Sequence, residues 1–359
     1  MRIGVLAPVW EATPPRGYGG IERMVALLVE GLVARGHHVT LFATGDSVTS
    51  ARLCAVEPRP LRTQALEPWC QQAAELRHIA LALREPQAFD VVHNHVGYPG
   101  VVLGDLAGAS MLTTLHGPVP DTHRPYYSSF PEHPFVAISE SQRREAAALR
   151  VCATIPHGID TRRYSAGGSR RDYVLFLGRV SPEKGTHLAI EAALRAGVPL
   201  VIAAKVDPQD RSYFEGRVAP LVDGTRVRFI GEVAGEAKRD VLRGARALLH
   251  LVQFPEPFGL VMVEALASGT PVIAMPLGSI PEVVADGRTG FIVRDVDEAV
   301  AALGRLEAIS PAVCRAEAVA RFDAGLMVER YAALYATLAA PRVTLRRRRG
   351  AGTSPTGSP

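Results

Sequence analysis

Short apolar runs alternate with amphipathic stretches along this chain, and the whole series occurs twice. RIGVLAPV (2–9) is compact and rich in β-branched residues, which reads as a buried strand. A long Gly/Pro loop follows, and Ile21 to Arg35 then carries an amphipathic helical pattern that Gly36 ends. HVTLFAT (38–44) is the next strand, so the opening forms the βαβ unit of a parallel sheet. DVVHNH (90–95), MLTTLH (111–116), FVAIS (135–139) and ATIPHGID (153–160) extend the series, as strands that end in polar residues.

The same grammar restarts after AGGSRRD (166–172). YVLFLG (173–178), PLVIAA (199–204), VRFIG (227–231), ALLHLV (247–252), PVIAM (271–275) and GFIV (290–293) are the expected strands, with helical patterns between most of them. LMVERYAALYATLAA (326–340) reads as a final helix able to pack on either half. The expectation is an α/β chain of two Rossmann-like, doubly wound domains, at 1–165 and 173–325, joined by a linker at 166–172. A C-terminal helix at 326–340 and a disordered tail at 341–359 follow. A length of 359 residues with 47% hydrophobic content suffices for two cores. In such sheets ligands bind beyond the carboxyl ends of the strands, so the polar residues after each run should face a shared cleft.

Charge and cysteine content narrow the function classes. Of the net charge of +4, five positive charges lie in the tail (Arg342 and Arg346 to Arg349), and setting them aside leaves −1, so the globular part has no nucleic-acid-binding character. The tail reads as a solvated end, with contact to anionic lipid headgroups as the alternative. No run approaches the roughly 20 apolar residues of a membrane span, and MRIGVLAP lacks the layout of a signal peptide, which places the protein in the cytoplasm or peripherally at the inner membrane face. Cys54, Cys70, Cys152 and Cys314 are scattered and read as core fillers.

Three segments carry candidate chemistry. In WEATPPRGYGGIERM (10–24), Gly17, Gly19 and Gly20 precede a helix, so free N–H groups and a positive dipole end can meet a phosphate. The loop is too long for a nicotinamide fingerprint, and Glu22 stands where its third glycine would be, which excludes hydride transfer. LGRVSPEKG (177–185) sets Arg179 just past a strand and Lys184 before a helix, a pairing suited to a diphosphate. EPFGLVMVE (256–264) spaces Glu256 and Glu264 about 2.2 helical turns apart in an apolar context, where carboxylates can accept hydroxyl hydrogen bonds from a sugar or ribose.

These pieces, with GHHVTLFATG, LHGP, PHGID, FIGEV, PEVV and GRTGFIV in the same order, resemble the retaining family-4 glycosyltransferases of GT-B fold, the glycosyl transferases group 1, from Met1 to about Ala340. The resemblance implies two Rossmann-like domains facing across a cleft, and sugar transfer from a nucleoside diphosphate donor to an acceptor hydroxyl with retention. It implies His116, Glu256, Arg179 and Lys184 as the catalytic set. Gly19, Gly20, Phe258, Gly259, Leu260 and Glu264 would contact the donor, and the base would lie near Lys205, Val206, Gly231 and Glu232. His157 stands where asparagine is common in the family.

No metal is expected, because no Asp-x-Asp occupies a suitable loop; Asp207 and Asp210 are spaced too widely. His93 and His95 admit a metal-pair reading, but no third or fourth ligand is evident, and acceptor contact or strand-end packing competes with it. Trp10, Tyr18, Tyr98 and Tyr126 are candidates for shaping an acceptor pocket. No cofactor is expected besides a UDP- or GDP-type sugar as co-substrate; the acceptor can be a glycan, lipid, natural product or metabolite. The alternatives are a sugar-nucleotide epimerase of the same architecture and a non-catalytic nucleotide-sugar binder.

Overall fold

The computed structural model describes residues 1–167 and 172–339. Residues 168–171 of the expected linker, and the tail 341–359, lie outside the described residues. The first sheet has seven strands: β1 (Arg2–Leu6), β2 (His38–Ala43), β3 (Arg52–Ala55), β4 (Val91–Asn94), β5 (Met111–Thr114), β6 (Phe135–Ala137) and β7 (Val151–Thr154). The second has six: β8 (Val174–Arg179), β9 (Leu200–Lys205), β10 (Val227–Gly231), β11 (Leu248–His250), β12 (Val272–Ala274) and β13 (Gly290–Ile292). Their orders are β3-β2-β1-β4-β5-β6-β7 and β10-β9-β8-β11-β12-β13, with parallel pairing throughout.

These are doubly wound sheets, and the strand order reverses between β1 and β4 in one and between β8 and β11 in the other. At such a reversal the connections leave to opposite faces and open a crevice at the carboxyl ends. The strands there are buried on both faces: β1 is covered from Ile3 to Leu6, and β8 from Val174 to Phe176. That explains why both read as continuous apolar runs and not as alternating ones.

The structure adds one strand that the apolar runs do not mark and shifts another. β3 (RLCA) has no apolar run, because as an edge strand it is only half covered, and the helix Pro68–Ala82 likewise lacks a strong apolar face. β7 lies at 151–154 instead of within 153–160: Pro156 has no N–H for the ladder, and His157, Gly158 and Ile159 leave the sheet. Of the four cysteines only Cys314 is buried; Cys152 is exposed. No helix among the described residues is long and apolar enough to cross a membrane.

The last helix, Ala324–Ala339, settles on the first domain. Met327, Val328, Tyr331 and Tyr335 share a buried cluster with Met24, Leu28 and Leu32 of the helix Gly20–Ala34. Its tyrosines reach the sheet, where Tyr335 Oη meets His93 Nδ1 at 2.6 Å and Tyr331 Oη meets Thr114 Oγ1 at 2.8 Å. The preceding helix, Pro311–Phe322, packs on Leu260–Ala267 of the second domain. The chain therefore crosses back after its second core is built and straps the two halves together.

Gly31 lets the two helices of the first domain approach, since a Cβ there would stand 2.5 Å from Val328 Cγ2. Gly31→Val is expected to destabilise the protein by roughly 1–3 kcal/mol through overpacking, read from urea denaturation. An unchanged midpoint would mean the contact is looser than described.

Candidate active site

The loop from Ala7 to Gly19 leaves β1 at the crevice and delivers the helix Gly20–Ala34 to it. Gly19, with φ of 145°, turns the chain into that helix; a Cβ there would meet Pro15 at 2.7 Å, so the turn needs glycine. In the second domain Gly259, with φ of 80°, does the same for Leu260–Ala267. No side chain caps either helix, so both present free N–H groups. The two starts meet across the cleft, since a Cβ on Gly20 would touch Leu260 Cδ1 at 3.3 Å.

Two adjoining chambers lie here. The smaller, of about 230 Å³, is lined by Gly19, Gly20, Arg179, Lys184, Lys205, Glu232, Glu256, Gly259, Leu260 and Glu264 among the expected donor residues. The larger, of about 740 Å³, holds His116 and Phe258, and shares Gly19, Gly20, Glu256, Gly259 and Leu260 with its neighbour. Val206 and Gly231 line neither. Val206 follows Lys205 on an extended segment, so as Lys205 turns to the chamber Val206 turns to the core; Gly231, with φ of 73°, is the turn that ends β10. Phe258 likewise faces the larger chamber, where its ring stands edge-on to His157 at 5.3 Å.

Four of the five lysines and arginines among the described residues of the smaller chamber have an acidic neighbour; the fifth, Arg23, donates from Nη2 to the Gly17 carbonyl at 2.9 Å. Arg179 donates from Nη1 to Asp210 at 2.8 Å and from Nη2 to Glu183. Lys184 Nζ donates to Glu256 Oε2 at 2.6 Å, and Lys205 Nζ pairs with Asp207 at 2.9 Å. Burial alone would raise the Glu256 carboxyl, but His250, 3.5 Å away, and the Lys184 charge reverse that and hold it at about 2. Glu256 is therefore ionised at any working pH and acts as an acceptor only.

Glu264, 2% exposed, accepts from Tyr164 Oη at 3.0 Å, and Lys238 Nζ lies 2.5 Å from its other oxygen. That second contact is an ion pair without hydrogen-bond alignment, so Oε2 still lacks a donor in line. Glu232 accepts the Tyr18 N–H at 2.7 Å from across the cleft, and Lys205 Nζ sits 5.5 Å over the Tyr18 ring.

The histidines form a connected row. His95 Nδ1 meets His116 Nε2 at 2.9 Å, and His116 Nδ1 meets His157 Nε2 at 3.3 Å. Burial pushes all three well below the ordinary histidine range, His157 to about 3, so the rings are neutral at pH 7. His116 has both nitrogens engaged and must release one before it can touch a sugar. His93 is occupied as well, by Tyr335 and by Thr114 at 2.7 Å, which leaves it no nitrogen for a metal. Among the described residues no group of three or more His, Cys, Asp or Glu is arranged to hold a metal ion.

Several lining residues escaped the sequence reading. Lys238 and Arg23 look like ordinary solvated charges in helical patterns; Tyr164, which lines neither chamber but donates to Glu264, lies beside the linker. His250 did carry a signal, as the one polar residue within the apolar run ALLHLV. Of the loop aromatics, Trp10 and Tyr18 line the larger chamber, whereas Tyr98 and Tyr126 stack edge-on outside it.

Comparison with known proteins places this geometry. Residues 18–163 match Glycosyltransferase Family 4, and residues 161–312 match Glycosyl transferases group 1. The glycogen synthase of Mycobacterium tuberculosis is 28% identical over 339 residues, 80% of this chain and 81% of the relative. Among solved structures, AviGT4, a glycosyltransferase involved in avilamycin A biosynthesis, superposes with a TM-score of 0.71 at 28% identity, over 95% of this chain and 98% of that one. Anabaena Alr3699/HepE, solved in complex with UDP-glucose, shares the fold with a TM-score of 0.72 at 19% identity, over 94% and 100% of the two chains.

The depressed Glu256 pKa has a signed consequence. A carboxyl whose folded value (about 2) lies below its ordinary 4.5 adds stability above that ordinary value, and the gain fades as pH falls toward 2. Glu256→Gln is expected to cost on the order of 3 kcal/mol at pH 7 and clearly less at pH 3.5, by urea denaturation at both pH values. A cost independent of pH would contradict the ion pair.

Proposed function

Since the chain belongs to the glycosyltransferases of GT-B fold that family 4 and group 1 describe, we propose that it moves a sugar from a nucleoside diphosphate to an acceptor hydroxyl with retention of configuration, and without a metal ion or resident cofactor. The observation that carries this reading is the gathering, in one small chamber, of Arg179, Lys184, Lys205 and Lys238 beside two uncapped helix starts. Such a site stabilises a departing diphosphate electrostatically, the largest single contribution in many enzymes.

In this reading the diphosphate lies against Arg179 and Lys184 and the N–H groups that follow Gly19 and Gly259. Lys184 would then bridge phosphate and Glu256, and Glu256 would take hydroxyl hydrogens of the transferred sugar. Glu264, with one oxygen free of an aligned donor, would receive a ribose hydroxyl, and Lys205 and Glu232 would flank the base. A UDP-type donor is favoured because Anabaena Alr3699/HepE, with the same fold, binds UDP-glucose; GDP stays within the proposal.

The acceptor would enter the larger chamber and meet the sugar where the two chambers share Glu256 and Gly20. Glu256 is a poor nucleophile, because its charge is held by Lys184. Attack from the face of the departing phosphate, with a phosphate oxygen taking the acceptor proton, fits that constraint. His116 would orient the sugar by exchanging one of its histidine bonds for a hydroxyl. An epimerase or a simple binder leaves the larger chamber without a purpose, so transfer is the better reading.

Arg179→Ala and Lys184→Ala are each expected to lower kcat/KM at least about 100-fold while thermal unfolding stays cooperative. A chelator should leave the rate within about twofold, and an α-linked donor should give an α-linked product by NMR. An inverted product, or loss of activity on chelation that added metal restores, would overturn the reading.

A further inference from the structure

The larger chamber holds buried polar groups that donor binding does not use. Glu11, Glu22 and Glu75 line its first-domain wall, and Arg62 is the only arginine or lysine among the described residues lining it. That cation is already committed, because its Nε lies 2.5 Å from Glu11 Oε1. Glu256, on the opposite wall, is satisfied by Lys184. Glu75 accepts a single hydrogen bond, from Trp10 Nε1 at 3.2 Å.

Glu22 is the outlier. It sits in the first turn of Gly20–Ala34, 5% exposed, and its carboxyl receives no hydrogen bond from another described residue. Burial raises it to about 7, with the nearby Glu11 adding to the rise, and burial raises Glu75 as well. A buried carboxyl whose one donor is its own backbone N–H is costly unless something else supplies more.

Across the chamber, His95 is 2% exposed and His157 5%, and their outer nitrogens, His95 Nε2 and His157 Nδ1, have no partner. Each neutral ring carries one hydrogen and one lone pair. In a row bonded through His116, the direction chosen by one ring fixes the others, so one end must show an N–H and the other a lone pair. Both nitrogens are buried in residues that line the chamber, and an unpaired donor and acceptor there suit hydroxyl groups, which are both.

We propose that the acceptor bound here is a polyhydroxylated molecule without an anionic group, whose donor groups meet Glu22 and Glu75 and whose hydroxyls bridge to the free nitrogens of His95 and His157. The proposal rests on the transferase reading above. A phosphate or carboxylate on the acceptor would face Glu11, Glu22 and Glu75 with Arg62, itself paired with Glu11, as the one arginine or lysine among the described lining residues to offset them. Of the histidines among the described lining residues, His95, His116 and His157 are bonded to one another, and His123 is exposed. A hydroxyl supplies Glu22 a donor beyond its own N–H, and an ammonium also compensates its charge, so amine-bearing polyols should be held best.

The test offers matched sets of hexoses and cyclitols, each as free polyol, amine and phosphate ester, to the full chain with UDP- and GDP-sugars, with products read by mass spectrometry. Free polyols or amines should be glycosylated, and the phosphate ester of the same scaffold at least tenfold less efficiently. Glu22→Gln should raise KM for the amine at least tenfold and for the uncharged polyol less, and Glu22→Asp should recover part of that loss. Preference for phosphate esters, no product from any set, or an equal effect of Glu22→Gln on every acceptor would overturn the proposal. Release of nucleoside diphosphate by the unaltered protein without acceptor reports the donor side alone. If it occurs while the ranking fails, only this proposal falls; if no nucleotide sugar is ever cleaved, the transferase reading falls and takes the proposal with it.

Discussion

The ion pair between Lys184 and Glu256 is the contact around which the cleft is organised. Glu256 is 8% exposed and stands where the two chambers join, so its charge cannot be left to water. Lys184 compensates it from a separate strand-to-helix turn, and His250 approaches from the end of β11. Two segments distant in sequence, at 184 and at 250–256, are thus brought to one point by a single buried carboxylate. A buried pair of this kind gives modest net stability, but removing either partner strands the other charge. The site is accordingly polarised before any ligand arrives, with lysines and arginines gathered at the smaller chamber and Arg62 alone beside Glu11, Glu22 and Glu75 at the larger.

That polarity follows from topology. Both sheets reverse their order at the strand that opens each domain, and a glycine turn starts a helix beside each reversal, Gly20–Ala34 after β1 and Leu260–Ala267 after β11. Facing the two reversals toward each other puts two helix starts and the carboxyl ends of both sheets around one space. The strap formed by Pro311–Phe322 and Ala324–Ala339 then holds the halves in register, and it does so through the site, because Tyr335 and Tyr331 bond His93 and Thr114 beneath the histidine row. His93 serves packing, and His95, its ring tilted against that of His93 at 3.8 Å, lines the chamber.

Much of this was readable from residues alone, and the exceptions have physical causes. Strands buried on both faces leave unbroken apolar runs, which is why β1 and β8 are plain in the sequence, whereas the edge strand β3 leaves none. Positions after strand ends, such as Arg179, Lys205 and His116, could be placed at the cleft because the parallel sheet dictates it. The side to which a residue turns is a finer matter: the extended backbone sends Val206 to the core while Lys205 faces in. Partners contributed by other segments were invisible, because Lys238 against Glu264 and Tyr18 against Glu232 are contacts between residues far apart in the chain. Glu22 was visible only as a departure from a glycine fingerprint, and its burial, not its identity, makes it informative.

The central claim is that the small chamber grips a diphosphate through Arg179 and Lys184. Calorimetric titration of the protein and of the double variant Arg179→Ala, Lys184→Ala with a nucleoside, its monophosphate and its diphosphate measures that grip directly, for both uridine and guanosine. The account predicts that the double change weakens the diphosphate at least about 100-fold and leaves the nucleoside within about twofold. Equal weakening of all three ligands, or none, would contradict it.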